Sequence, residues 1–196
     1  LAVLELSEFN LYKVEQELRV EFPDLVIDPI LGDCGDAATL ERVFSRVRPE
    51  AVFHAAAFKH VPLLQQQVRE AVRNNLLATQ ALALAADRHG VHNFVLISTD
   101  KAVNPSSVMG ATKRAAEIFC QSLAQQSNTH FITVRFGNVL DSAGSVVPLF
   151  RDQIRRGGPV TVTHPEISRY FMTIPEACQL ILQAAVLGRG GEIFAL

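Results

Sequence analysis

Between residues 98 and 114 the chain reads Ser98-Thr99-Asp100-Lys101-Ala102-Val103-Asn104-Pro105, then Ser106-Ser107-Val108-Met109-Gly110-Ala111-Thr112-Lys113-Arg114. Hydroxyls, a carboxylate and two lysines crowd one short stretch, and these are groups that give, take and steer protons. The bland alternative is a charged loop before a helix capped by Ser106 or Ser107. The cluster begins where the apolar run Phe94-Val95-Leu96-Ile97 stops. That puts it at the carboxyl end of a buried strand, where open parallel sheets bind their ligands.

The elements that must position this cluster follow from periodicity. Apolar runs at 1–6, 25–30, 51–54, 94–98 and 131–136 predict short buried strands, with another at 192–196. Amphipathic stretches at 16–22, 37–47, 68–89, 109–126 and 146–156 predict helices between them. Strand–helix alternation predicts an α/β fold with a Rossmann-like, doubly wound parallel sheet. No internal repeat, low-complexity tract or linker-like composition break interrupts it.

With 196 residues, 48% of them hydrophobic, the chain can bury one substantial core. A net charge of -2 supplies no broad basic field for nucleic acid, although Arg151, Arg155 and Arg156 form a local positive patch. The cysteines, Cys34, Cys120 and Cys178, are odd in number and lack C-x-x-C spacing, so neither a disulfide framework nor a metal site is expected. No apolar run approaches the roughly 20 residues that span a bilayer, and a reducing cytoplasm is the expected compartment.

A Ser-Thr at a strand end followed by a helix carrying Tyr-x-x-x-Lys marks the short-chain dehydrogenase/reductases. Here the helix carries Met109-Gly110-Ala111-Thr112-Lys113 instead. Together with Thr99-Asp100-Lys101 and Asn104-Pro105, the chain resembles the extended, CapD-like nucleotide-sugar 4,6-dehydratases of polysaccharide biosynthesis, whose larger branch likewise has methionine in the tyrosine slot. The resemblance runs from Glu5-Leu6-Ser7-Glu8 through 54–62 to Arg169-Tyr170-Phe171-Met172-Thr173-Ile174. It implies a partial NAD-binding Rossmann-like domain over 1–140 and a mainly substrate-binding portion over 141–196. It also implies that a first strand and a glycine-rich phosphate turn precede Leu1, since no G-x-G-x-x-G occurs in the chain.

The roles of individual residues come from the same resemblance. For NAD, Glu5 and Ser7 are expected at the adenosine ribose, Asp33 and Cys34 at adenine, and Ala55, Ala56 and Ala57 along the cofactor. Asn75, Ser98 and Phe136 support it, and Lys113 reaches the nicotinamide ribose. Asp36 is expected only to cap a helix, and Asn74 to be an exposed bystander. Thr99, Asp100 and Lys101 take over the work that Met109 cannot do, with Asp100 as acid and Lys101 as base. For a UDP-sugar, Lys59, His60, Asn138, Ser145, Val146, Thr161 and Arg169 are expected in contact, Thr161-Val162-Thr163 as a strand. Asp141 departs from a glycine that many relatives carry, while Tyr170 and Phe171 are expected to pack.

The implied reaction is NAD-dependent dehydration of a UDP-N-acetylhexosamine, UDP-N-acetylglucosamine foremost, in bacterial glycan synthesis. A homo-oligomer is expected, and relatives of the longer branch often carry amino-terminal membrane helices. The alternatives are a nucleotide-sugar epimerase or reductase, and a non-catalytic module that senses nucleotide sugar or NAD.

Overall fold

The computed structural model describes residues 1–142, 146–162, 164–166 and 168–196. Their order is β1 (Ala2–Glu5), α1 (Glu8–Glu21), β2 (Asp28–Leu31), α2 (Ala37–Val47), β3 (Ala51–His54), α3 (Val61–Gln66), α4 (Val68–Ala71), α5 (Ala78–Arg88) and β4 (Asn93–Thr99). Then come α6 (Val108–Ala124), β5 (His130–Phe136), β6 (Asn138–Val139), α7 (Val146–Arg155), β7 (Phe171–Met172), α8 (Ile174–Leu187) and β8 (Ile193–Ala195). A π-helical segment (Val72–Leu77) joins α4 to α5, and a 3₁₀ turn (Asp100–Ala102) follows β4.

The expected parallel α/β architecture is present. The largest sheet runs β3-β4-β5-β8, every pairing parallel, with Thr99 opposite Phe136 at its carboxyl edge. β1 pairs with β2, and β6 with β7, in two further parallel ladders. Side chains alternate across a strand, so β4 feeds two cores. Phe94 and Leu96 pack with Leu40, Phe44, Leu82, Ala116 and Phe131, while Val95 packs with Ile132, Val134 and Ala184 of α8. Burial of this kind stabilises by about 25 cal/mol per Å² of apolar surface. α8 and β8 thus return the end of the chain to the central sheet.

Several boundaries differ from expectation for local reasons. α1 starts at Glu8 rather than Gln16 because the Ser7 hydroxyl accepts the Asn10 amide as its cap. β2 starts at Asp28, since the Leu25 amide donates to Phe22 O in a turn through Pro23-Asp24 and Val26 is exposed. Asp36 caps α2, as expected, by accepting the Thr39 amide. Residues 161 and 162 form no strand, because Gln153 of α7 bonds both the Thr161 amide and its hydroxyl. The expected strand's third residue, Thr163, lies outside the described residues.

Candidate active site

The carboxyl ends of β3, β4 and β5 open onto a cleft of about 750 Å³. Ala55 and Ala57 continue β3 on one side, Ser98, Thr99 and Lys101 form the floor, and Phe136 and Asn138 follow β5. Val146 and Phe150 of α7, with Arg169 and Phe171, close the far wall. Lys59 and His60 line the rim before α3, so residues far apart in sequence converge here. The Arg169 guanidinium bonds only Ser168 O among the described residues. Asn138 is held from both backbone and side chain by Tyr170 O. Tyr170 itself is 91% exposed, so the expectation that it packs is overturned, and Phe171 is a half-exposed wall of the cleft.

The polar turn has a definite geometry. One oxygen of Asp100, Oδ1, accepts from Thr99 Oγ1 and from Lys101 Nζ, each at 2.9 Å. Partial burial raises the carboxyl pKa, but these two bonds and the Lys101 charge outweigh it and hold Asp100 below the usual carboxylate range. The turn lies directly on α6. A Cβ at Gly110 would fall well inside van der Waals distance of Lys101 O, so only glycine allows this approach. Asn104, with φ of 42°, takes the left-handed conformation that asparagine tolerates and turns the chain before Pro105. Ser107 then caps α6 on the Gly110 amide.

α6 presents its inner face to the cleft at helical spacing. Met109 is buried against Leu64 and Ala71, a thioether with no proton to transfer. Lys113 is 5% exposed, lines the cleft, and donates to Ile97 O at 2.6 Å. Burial brings it down to about 8, while the Glu117 carboxylate and Cys120 pull it upward. Glu117, one turn further on, was not singled out by the sequence. It is fully buried, accepting Ser98 Oγ at 2.5 Å, Arg114 at 3.0 Å and Arg135 Nε at 2.8 Å. Ser98 therefore directs its hydroxyl to Glu117. The signal that could have found Glu117 is an acid four residues after a lysine on an otherwise apolar helix face.

Asn75 is fully buried and clamps the backbone of Phe58, accepting its amide at 2.8 Å and donating to its carbonyl at 3.0 Å. It also donates to Thr112 Oγ1 of α6. Its side chain thus holds the segment after β3. Asn74 is not a bystander: the π-helical turn brings both asparagines onto the Phe58 amide, Asn74 at 3.1 Å. His54 was also missed. The Thr79 hydroxyl donates to Asn75 O, which leaves its oxygen to accept from His54 Nε2 at 2.8 Å and places a proton on that nitrogen. Burial, aided by the Lys113 charge, pushes His54 down to about 3.

The residues expected around adenosine lie at the carboxyl ends of β1 and β2 rather than in the cleft. Glu5 Oε1 accepts the Ser7 amide at 2.8 Å, and its second oxygen makes no hydrogen bond among the described residues. Asp33 accepts the Gly35 amide at 2.7 Å, and burial pushes the neighbouring Cys34 thiol up. Ala56 and Thr161 do not line the cleft, and Ser145 lies outside the described residues. Asp141 adopts φ of 57°, the left-handed conformation that glycine takes without strain, and its carboxylate pairs with Arg151 at 2.7 Å. Among the described residues, no cluster of His, Cys, Asp and Glu could hold a metal. No described helix is long and apolar enough to cross a membrane.

Residues 1–196 match the family described as polysaccharide biosynthesis protein. The chain belongs to that family. It is 53% identical over 197 residues to the capsular polysaccharide biosynthesis protein CapD of Staphylococcus aureus, covering 97% of this chain and 32% of that protein. It is 34% identical over 185 residues to a UDP-glucose 4-epimerase of Rickettsia canadensis (strain McKiel), covering 93% of this chain and 54% of the epimerase. Among solved structures, Pen from Bacillus thuringiensis is similar with a TM-score of 0.90 and 34% identity, covering all of this chain and 60% of that one. The family member described here thus spans about a third of the capsular relative and about half of the epimerase.

Proposed function

We propose that this family member dehydrates a UDP-N-acetylhexosamine, foremost UDP-N-acetylglucosamine, to the 4-keto-6-deoxy sugar, using NAD, for bacterial polysaccharide or glycan synthesis. The observation that carries the reading is the shared Asp100 oxygen, touched by Thr99 and Lys101 inside a cleft whose tyrosine slot holds Met109. Ala55 and Ala57 offer a wall without bulk, Lys113 a buried cation, and Glu5 a carboxylate oxygen for ribose hydroxyls. A carboxylate at Glu5 also disfavours the additional phosphate of NADP. These residues fit a dinucleotide, and the chemistry a bound NAD supplies is reversible hydride storage between C4 and C6 of the sugar.

The chain's own groups then balance the protons. Thr99 gives its hydrogen to Asp100 and accepts the Lys101 amide, so its remaining lone pair can accept the sugar's 4-hydroxyl, and the proton lost there passes through Thr99 to Asp100. Asp100, now a carboxylic acid, returns that proton to the departing C6 hydroxyl as water leaves. Lys101 is the base that takes the C5 proton made acidic by the C4 ketone and later returns it to C5. Lys113 lowers the cost of negative charge on the C4 oxygen. Lys59 and Arg169 meet the diphosphate, with Arg169 able to fork onto its oxygens.

Full-length protein incubated with UDP-N-acetylglucosamine and NAD should yield a product lighter by one water in mass spectrometry, and Asp100→Asn should stall that elimination. Intact substrate with wild type, or unchanged turnover with Asp100→Asn, counts against the reading. The epimerase relative favours a second reading, in which hydride returns to C4. Its product would have unchanged mass and an inverted C4.

A further inference from the structure

We infer that Glu117 is a positioning residue, whose carboxylate sets the aim of the turnover site by tying together the strand ends and the helix that carry it. The inference rests on reading the cleft as that site. Glu117 is fully buried, so it is not a solvated partner of the nearby arginines. Its oxygens accept from three elements at once: Ser98 of β4, Arg135 of β5, and Arg114 of its own helix. Ser98 and Arg135 stand opposite each other in the β4–β5 register. Each immediately precedes a residue that lines the cleft, Thr99 and Phe136.

Strand alternation turns this into an orientation device. With the Ser98 hydroxyl held on Glu117, Thr99 takes the opposite face of the strand, where its hydroxyl reaches Asp100. Lys113 reinforces the arrangement one helical turn earlier, by bonding Ile97 O on the same strand. Hydrophobic side chains of similar volume often hold elements together as well as a buried ion pair does. What the carboxylate adds is direction, because its bonds fix which way the side chains beside it point.

Ser98→Ala is the discriminating variant. It removes the link to β4 yet leaves Glu117 with its arginines, so the fold is retained, whereas Glu117→Gln also leaves Arg135 without its charge partner. Both are made in the full-length protein. Amide hydrogen exchange is read at Thr99 to Ala102 and at Phe94 to Leu96, alongside steady-state kinetics with UDP-N-acetylglucosamine. Ser98→Ala should speed exchange at Thr99 to Ala102 severalfold while the β4 interior stays unchanged. It should also lower kcat by about tenfold or more, with KM held within about twofold. Unchanged exchange at the turn overturns the proposal. So does uniformly faster exchange with lowered thermal stability and unchanged kcat, the mark of a purely structural residue. Formation of a 4-epimer in place of the dehydrated sugar, or no turnover by wild type, defeats the dehydratase reading alone, since exchange at the turn still decides the role of Glu117.

Discussion

Burial holds Lys113 at about 8 and His54 at about 3, and the two act on stability in different pH ranges. Between about 8 and the ordinary 10.5 the unfolded chain keeps a lysine proton that the native state has released, so stability rises with pH through that window. The full effect is about 3 kcal/mol. Lys113→Met should therefore raise stability at pH 7 by roughly 1–3 kcal/mol, remove that slope and abolish turnover, as urea unfolding at pH 7 and 10 with a parallel assay would show. His54 acts in the same sense at lower pH. Below 6.5 the unfolded imidazole takes a proton that the native one refuses. Stability should fall by about 1.4 kcal/mol per pH unit toward 3, and His54→Gln should flatten that loss in the same unfolding measurement. The polar turn and Lys113 were legible because lysines, a carboxylate and hydroxyls cluster at a strand end. Glu117 was not, since an acid on a helix usually reads as solvated and only tertiary packing shows this one to be buried.

The 3₁₀ turn depends on how closely α6 can approach it. A glycine inside a helix ordinarily costs about 1 kcal/mol relative to alanine, yet here the added methyl would meet Lys101 O. Gly110→Ala should consequently displace Asp100 and Lys101 and reduce kcat by about a hundredfold, while circular dichroism stays native. Retained activity would show that the turn tolerates the shift. The buried strands were legible in the apolar runs, and α2 in its periodicity and its Asp36 cap. α3 escaped notice because its six residues, with Pro62 near the start, are too short to display a period. α8 is apolar around much of its circumference, and its boundary signal was local: Thr173 and Glu176 form a capping box around Pro175. Nothing in the sequence announces a π-helical turn at Asn74 and Asn75, because the backbone clamp that rewards it lies in the loop after β3.

Across the molecule, stability should be graded. β4 and β5 lie between two apolar clusters, whereas β1 and β2 pair with each other and, of these two strands, only Ile30 is fully buried. Amide exchange should thus be slowest at Phe94 to Leu96 and Phe131 to Val134, and markedly faster at Ala2 to Glu5. Equal protection of both regions would mean that the ladders open together. The far wall of the cleft rests on a different kind of force. Asp141, at the end of the β6 segment, pairs with Arg151 of α7, the helix that supplies Val146 and Phe150 to the cleft. Both partners are well exposed, so the pair contributes at most about 1 kcal/mol and is screened by salt. Where a glycine would leave the strand end free of α7, this chain couples the wall to ionic strength. If the cleft takes the proposed nucleotide sugar, its KM should rise with added salt in wild type and lose part of that rise in Asp141→Gly, so the dissolved ions around the protein help set the width of the cleft.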